Sequence, residues 1–280
     1  MKSFPNLAVL GTLLGLAGAL PVAHAAVSIN AGGQGYSQNF DSLATSGATN
    51  AWVNDSTLAG WSLFRQPVPG TAITAYAAGD GSSNSGSFYS FGSAGSSDRA
   101  LGGLGSGGSY FGSPASGTVA GWIAASFKNS SGSALNGFSL SFDGEQWRNG
   151  GNTSAQTTVF EYGYGASFAS VASWTAPGGG FDFTSPTHTA TAGLLNGNLA
   201  ANRSAGLGGA VVGPWSANDT LWLRWIERND VANDHGLAID NLRFTAGSAV
   251  TAVPEPTTAA LMAAGLVAVV MLSKRRLQRR

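Results

Sequence analysis

From Ala26 to Ala252 no run of ten or more residues repeats its apolar side chains at helical spacing, and this restricts the possible folds more than any other feature. What recurs instead is a set of short apolar or alternating runs separated by Gly, Ser, Asn and Pro, the pattern of strands joined by turns. The clearest are Gly121 to Lys128 (GWIAASFK), Gly137 to Phe142 (GFSLSF), Thr157 to Tyr164 (TTVFEYGY), Thr220 to Glu227 (TLWLRWIE) and Leu237 to Phe244 (LAIDNLRF). Phe138, Leu140 and Phe142 fall on one face of a period-two strand, Ser139 and Ser141 on the other. Such alternation marks a half-solvated antiparallel sheet. Glycine-rich stretches such as Gly102 to Gly112 would break a helix and read as flexible hairpins. No internal repeat points to a propeller or solenoid. The expected body, residues 26–248, is an all-β, antiparallel, jelly-roll-like β-sandwich. Its first recognisable strand would contain Tyr36 to Asp41 and its last would be Leu237 to Phe244.

The two ends of the chain read differently. Lys2, the apolar segment Leu7 to Leu20 and the small-x-small triplet Ala23-His24-Ala25 have the order of a signal peptide over residues 1–25. At the other end, Val253-Pro254-Glu255-Pro256 precedes an uncharged run from Thr257 to Ser273. As a helix that run would cover roughly 25 Å, marginal for a hydrocarbon core of ~30 Å. The basic end that follows, Lys274 to Arg280, suits the cytoplasmic headgroup layer, so 257–273 reads as a single transmembrane helix with its end inside. The residues between the two segments would then lie on the far side of the membrane.

The VPEP tetrapeptide, the short apolar helix and the arginine-rich end together resemble the PEP-CTERM sorting signal of Gram-negative bacteria that make exopolysaccharide. The resemblance covers residues 249–280, about a tenth of the chain. It implies an exosortase as partner, cutting near Val253, Pro254, Glu255 and Pro256, and therefore a transient membrane anchor. The body would pass to the envelope, the surface or the exterior, with a structural or carbohydrate-binding role linked to exopolysaccharide and biofilm. The resemblance names no reaction, ligand or site residue of the body.

Charge supports this division. The whole chain balances at 14 basic and 14 acidic residues, but residues 26–252 hold eight basic against 13 acidic. Nucleic acid is a poor partner for such a body, because binding it takes a basic footprint. Charged residues make up only 10% of the chain, against roughly 25% in ordinary soluble domains, so Ser, Thr, Asn and Gly must carry solubility. Cysteine is absent although export would permit disulfides, and the fold must stand on the core of a body that contains all eight tryptophans. With only His188 and His235 in the body, a histidine zinc site would be poorly supplied.

Three places concentrate candidate chemistry. Phe40-Asp41-Ser42-Leu43 and Ala238-Ile239-Asp240-Asn241-Leu242 resemble the opening and closing strands of extracellular jelly rolls of the carbohydrate-binding and adhesion type, with Asn241 departing from a second Asp. In a regular strand Asp240 would share the inward face of Leu242 and Phe244, where a carboxylate needs a partner or a proton. Backbone amides, Arg243, Arg224, or a structural calcium ion also touched by Asp41 are the candidates. The second place is Phe142 to Asn152, where Glu145, Trp147 and Arg148 offer a carboxylate, a ring and a guanidinium of the kind sugar sites use. Equally, Glu145 could pair with Arg148 or Arg224 while Trp147 packs the sheet edge. Asp143 or Glu161 would be the second carboxylate of a glycosidase. The third is Asn229 to Gly236, a solvated hairpin loop, a calcium loop or a ligand-facing rim. No nucleophile elbow and no phosphate loop is present. The features favour a binding or structural protein over the alternative, a secreted polysaccharide hydrolase or lyase.

Overall fold

The computed structural model describes residues 26–249. The expected signal peptide, the 253–256 tetrapeptide and the 257–273 helix lie outside the described residues. The first half contributes short strands: β1 (Val27–Ile29), β2 (Gly35–Gln38), β3 (Asn50–Ala51), β4 (Trp61–Arg65), β5 (Thr71–Ala72), β6 (Ala75–Gly79), β7 (Ser87–Phe91) and β8 (Ala100–Leu104). The long strands follow: β9 (Thr118–Asn129), β10 (Leu135–Asn149), β11 (Thr157–Tyr164), β14 (Arg203–Trp215), β15 (Thr220–Asn229) and β16 (Gly236–Ala246). Two-residue strands β12 (Phe183–Thr184) and β13 (Gly193–Leu194) sit between them. The only helices among the described residues are 3-10 turns of three residues.

The strands form two sheets. One has seven strands in the order β12-β11-β15-β9-β4-β5, with β1 beside β9; the other has nine in the order β13-β10-β16-β8-β7-β6-β3, with β14 beside β10 and β2 beside β16. Pairing is antiparallel except between β1 and β9 and between β6 and β7. The predominantly antiparallel, all-β architecture is as expected, and one expectation is corrected: β1 precedes the strand around Tyr36, which itself ends at Gln38.

The sheets pack face to face over one core. Phe138, Leu140 and Phe142 of β10 are buried while Ser139 is exposed, as period-two alternation requires. From the other sheet, Phe127 stacks on Phe244 with centroids 4.0 Å apart, and Trp225 meets Phe142 edge-on at 5.5 Å. The glycines of 102–112 are not simply a hairpin. Gly102 and Gly103 lie in β8, which is buried throughout. A Cβ on Gly102 would come 2.2 Å from the Leu237 carbonyl oxygen, and one on Gly103 2.5 Å from the Glu227 carboxylate, so close approach rather than flexibility demands glycine.

One local irregularity sets the chemistry of the outer face. Ser141 pairs with Arg243 but Asp143 pairs with Asp240, so β16 holds one extra residue there. That residue is Asn241, at φ 50°. The bulge inverts the alternation: Ile239, Leu242 and Phe244 face the core, whereas Asp240 lies with Ala238 on the opposite face. The inward orientation expected for Asp240 from a regular strand is thereby corrected. Asn tolerates the left-handed region and a β-branched residue does not. Replacing Asn241 with Val should therefore cost roughly 1–2 kcal/mol more than replacing it with Gly in denaturant unfolding. Equal midpoints for the two variants would contradict a bulge at this position.

Candidate functional site

The outer face of the nine-stranded sheet carries the densest buried polar chemistry. Glu145 and Trp147 of β10 share it with Ala238 and Asp240 of β16. Trp147 joins Ala77, Tyr89, Phe91, Ala100, Leu104 and Ala238 in an apolar cluster separate from the main core. Its ring stacks on Phe91 at 6.2 Å and 2°. A segment spanning 195–202 roofs this cluster. The Leu195 amide donates to the Trp147 carbonyl at 2.8 Å. Gly197 lies so near that a Cβ would stand 2.4 Å from Trp147 Nε1. Trp147 is only 1% exposed, so it has no free ring face on which a pyranose could stack, and the stacking role expected of it is corrected.

Beneath the roof, two carboxylates are short of partners. Trp147 Nε1 donates to Glu145 Oε2 at 2.9 Å, while Glu145 Oε1 is buried with no hydrogen-bond partner. Asp240 Oδ1 is in the same condition. Burial pushes the Glu145 carboxyl up to about 7; the Trp147 N–H and Arg203 oppose this, and Asp98 and Asp143 add to it. Burial likewise pushes Asp240 up to about 8, against the Asn241 amide and with help from Glu145, Asp98 and Asp41. The pairing of Glu145 with Arg148 or Arg224 is not formed. Arg224 instead pairs with Glu161 and lies over the Trp174 ring at 3.8 Å.

Asp41, expected as a calcium ligand with Asp240, has both oxygens engaged. Oδ1 accepts from the Arg99 amide at 3.0 Å and Oδ2 from Asn39 Nδ2 at 2.6 Å. The buried Arg99 guanidinium turns away, towards the Ser90 hydroxyl and carbonyl and the Gly79 carbonyl. Asp98 is held by Asn198 Nδ2 at 2.5 Å. Among the described residues no group of three or more His, Cys, Asp or Glu side chains could hold a metal ion.

Arg148 faces elsewhere, and there the other two sequence clusters meet. Its Nη1 donates to the Gly81 and Ser82 carbonyls, both at 3.0 Å. It lines a cleft of about 370 Å³ with Asn84, Asn229, Asn233 and Asp234. The 229–236 loop is pinned rather than simply solvated: Asn152 Nδ2 donates to the Val231 and Asn233 carbonyls, and Gln156 Nε2 also donates to Asn233. His235 is buried and accepts the Gly150 amide at Nδ1, and burial lowers its pKa. Below the cleft lies Glu227, whose pKa burial raises well above the usual range, with Asp234 and Asp230 adding to the shift. Asp234 itself is pushed up to about 7 by burial. Glu227 is not among the residues expected from sequence, although alternation marks it: it follows Leu221, Leu223 and Trp225 on the inward phase of β15. Asp98 and Asn198 gave no comparable signal.

These acids share one consequence for stability. Glu145, Asp234 and Asp240 have folded pKa values of about 7 to about 8, above the 4.5 and 3.8 of free Glu and Asp. Between those limits the folded state holds protons that the unfolded chain has released, so the unfolding free energy falls as pH rises. Without divalent cations, the melting temperature should decline from about pH 5 to about pH 8, and Glu145→Gln with Asp240→Asn should flatten the decline. A melting temperature that climbs across that window would refute the assignment.

No curated protein matches the chain. Residues 252–276 match the PEP-CTERM protein-sorting motif. The chain thus pairs an all-β, sandwich-like body with a PEP-CTERM sorting motif, the mark of an exported protein that an exosortase sorts at the membrane on its way to the cell surface.

Proposed function

We propose that the chain is an envelope or extracellular-matrix protein of a Gram-negative bacterium. Its signal peptide would end at Ala25, an exosortase would cut near Pro254 to Pro256, and the released jelly-roll-like body, 26–248, would bind or reinforce exopolysaccharide in a biofilm. The observation that carries this reading is the sorting motif at 252–276 joined to a body that has a folded core of its own. The Arg148 cleft supports the carbohydrate part. Its guanidinium, three asparagine amides and one carboxylate suit hydrogen bonding to sugar hydroxyls without a net charge on the ligand.

A polysaccharide hydrolase or lyase is the weaker alternative. Glycoside hydrolysis takes two carboxylates about 5–10 Å apart across a cleft. The four clefts described along the surface each carry at most one, Asp219 in one and Asp234 in another. Glu145 and Asp240 are buried instead.

Two measurements test the proposal. Intact mass of the released protein should show loss of the residues beyond Pro256; their retention would sink the processing step. On a glycan array the released protein should bind neutral polysaccharide, and Arg148→Ala should weaken that binding by about tenfold, the cost of one well-placed hydrogen-bonded group. Absence of any glycan signal would leave a purely structural matrix role, and turnover of a bound glycan would favour the hydrolase.

A further inference from the structure

We propose that Glu145 and Asp240 together hold one divalent cation, of calcium's chemistry, beneath the 195–202 roof. Asp240 pairs across the strands with Asp143, and Glu145 stands two residues further along β10, so the two side chains are diagonal neighbours on one face. Diagonal neighbours on paired strands are separated by roughly 7–8 Å, within reach of side chains that converge on an ion with oxygens at about 2.3–2.6 Å. Each contributes a buried oxygen without a hydrogen-bond partner, Glu145 Oε1 and Asp240 Oδ1, on residues 1% and 2% exposed. A buried polar atom left unpaired costs free energy, and two in adjacent like-charged groups cost more.

The surroundings point to a cation. Asp98, Asp143 and Asp41 add negative potential around the pair. The nearest guanidinium charges answer it only in part: Arg203, across the strands from Glu145, offsets some of it but lies 3.9 Å from Asp143, and Arg99 is spent on Ser90 and Gly79. A divalent ion would balance both carboxylates at once. Because no third carboxylate or imidazole converges there, the remaining ligands must be neutral oxygens or water. Calcium accepts such a shell in irregular geometry, whereas magnesium asks for a near-ideal octahedron. Two carboxylates and neutral oxygens suit the weak affinities of extracellular modules, about 10⁻⁴ to 10⁻³ M. That range is adequate for an exported protein in a calcium-containing medium.

The test uses the purified protein and calcium alone. Melting at neutral pH should rise by several degrees from excess chelator to millimolar calcium, because a ligand of the native state raises apparent stability. Terbium offers a local readout, since Trp147 Nε1 lies 2.9 Å from Glu145 Oε2 and can sensitise its emission. Emission excited through tryptophan should saturate and be displaced by calcium. Glu145→Gln and Asp240→Asn should each weaken terbium binding by about tenfold or more through lost ligand charge, whereas Asp41→Asn should leave it nearly unchanged. The proposal fails if calcium and chelator give one melting temperature for the unmodified protein. It fails equally if terbium binding is lost in Asp234→Asn or Asp41→Asn but kept in the Glu145 and Asp240 variants.

Discussion

Ring contacts, of Phe127 with Phe244 and of Trp225 with Phe142, join the two sheets at the centre of the core. A chain without cysteine has no covalent link to fall back on. These four residues come from β9, β16, β15 and β10, four of the five longest strands, so the rings fix which face of each of these strands turns inward. Truncating one buried aromatic costs about 3–5 kcal/mol, a large share of the 5–15 kcal/mol that separates folded from unfolded domains. With inner faces fixed, period two settles the outer ones. Glu145 and Trp147 must then point away from the core, as must Trp122, Trp222 and Arg224 on the other sheet. Each outer face is covered by a connecting segment, and covered polar groups are where the unusual electrostatics arise.

The sequence was most legible where alternation ran long. Thr157 to Tyr164 is a strand with the bounds read from it, and the other four runs lie inside β9, β10, β15 and β16. Two-residue strands such as β3, β5, β12 and β13 carry no period to read. The site was legible by residue but not by arrangement. Glu145, Trp147 and Asp240 all stood out, yet alternation cannot announce that residues 195–202 return to cover Trp147. Nor could it reveal that one extra residue turns Asp240 over. Asn241 departs from the Asp of the resembled strand, and the physical meaning of that departure, tolerance of positive φ, becomes apparent only with the register.

The two buried acidic sites differ in how well the fold answers them. Glu227 reaches the inner edge of β8 at Gly103, receives the Gly105 amide, and has no orphaned oxygen. Its cost is met by the backbone. Glu145 and Asp240 each keep one oxygen with nothing to accept from. A protein that only needed to fold could replace them with amides or apolar groups at little loss, since isolated buried charge rarely stabilises. Their presence beneath a fitted roof, with Gly197 pressed against the indole edge, fits the proposed bound cation better than it fits packing.

The same burial changes what the body's net charge means. Of its 13 acids, Glu145, Asp234 and Asp240 have folded pKa values at or near neutrality and Glu227 lies well above the usual range. When these four are protonated or neutralised by a cation, nine acids face eight bases. Several of those bases, Arg99, Arg148 and Arg224 among them, are themselves tied to carbonyls or to Glu161. On that condition the body's net charge is close to zero rather than clearly negative. Long-range charge steering, which speeds and selects charged partners, is weak for such a body. For the proposed exopolysaccharide partner, short-range hydrogen bonds from Asn, Ser, Thr and main-chain groups would then have to carry recognition.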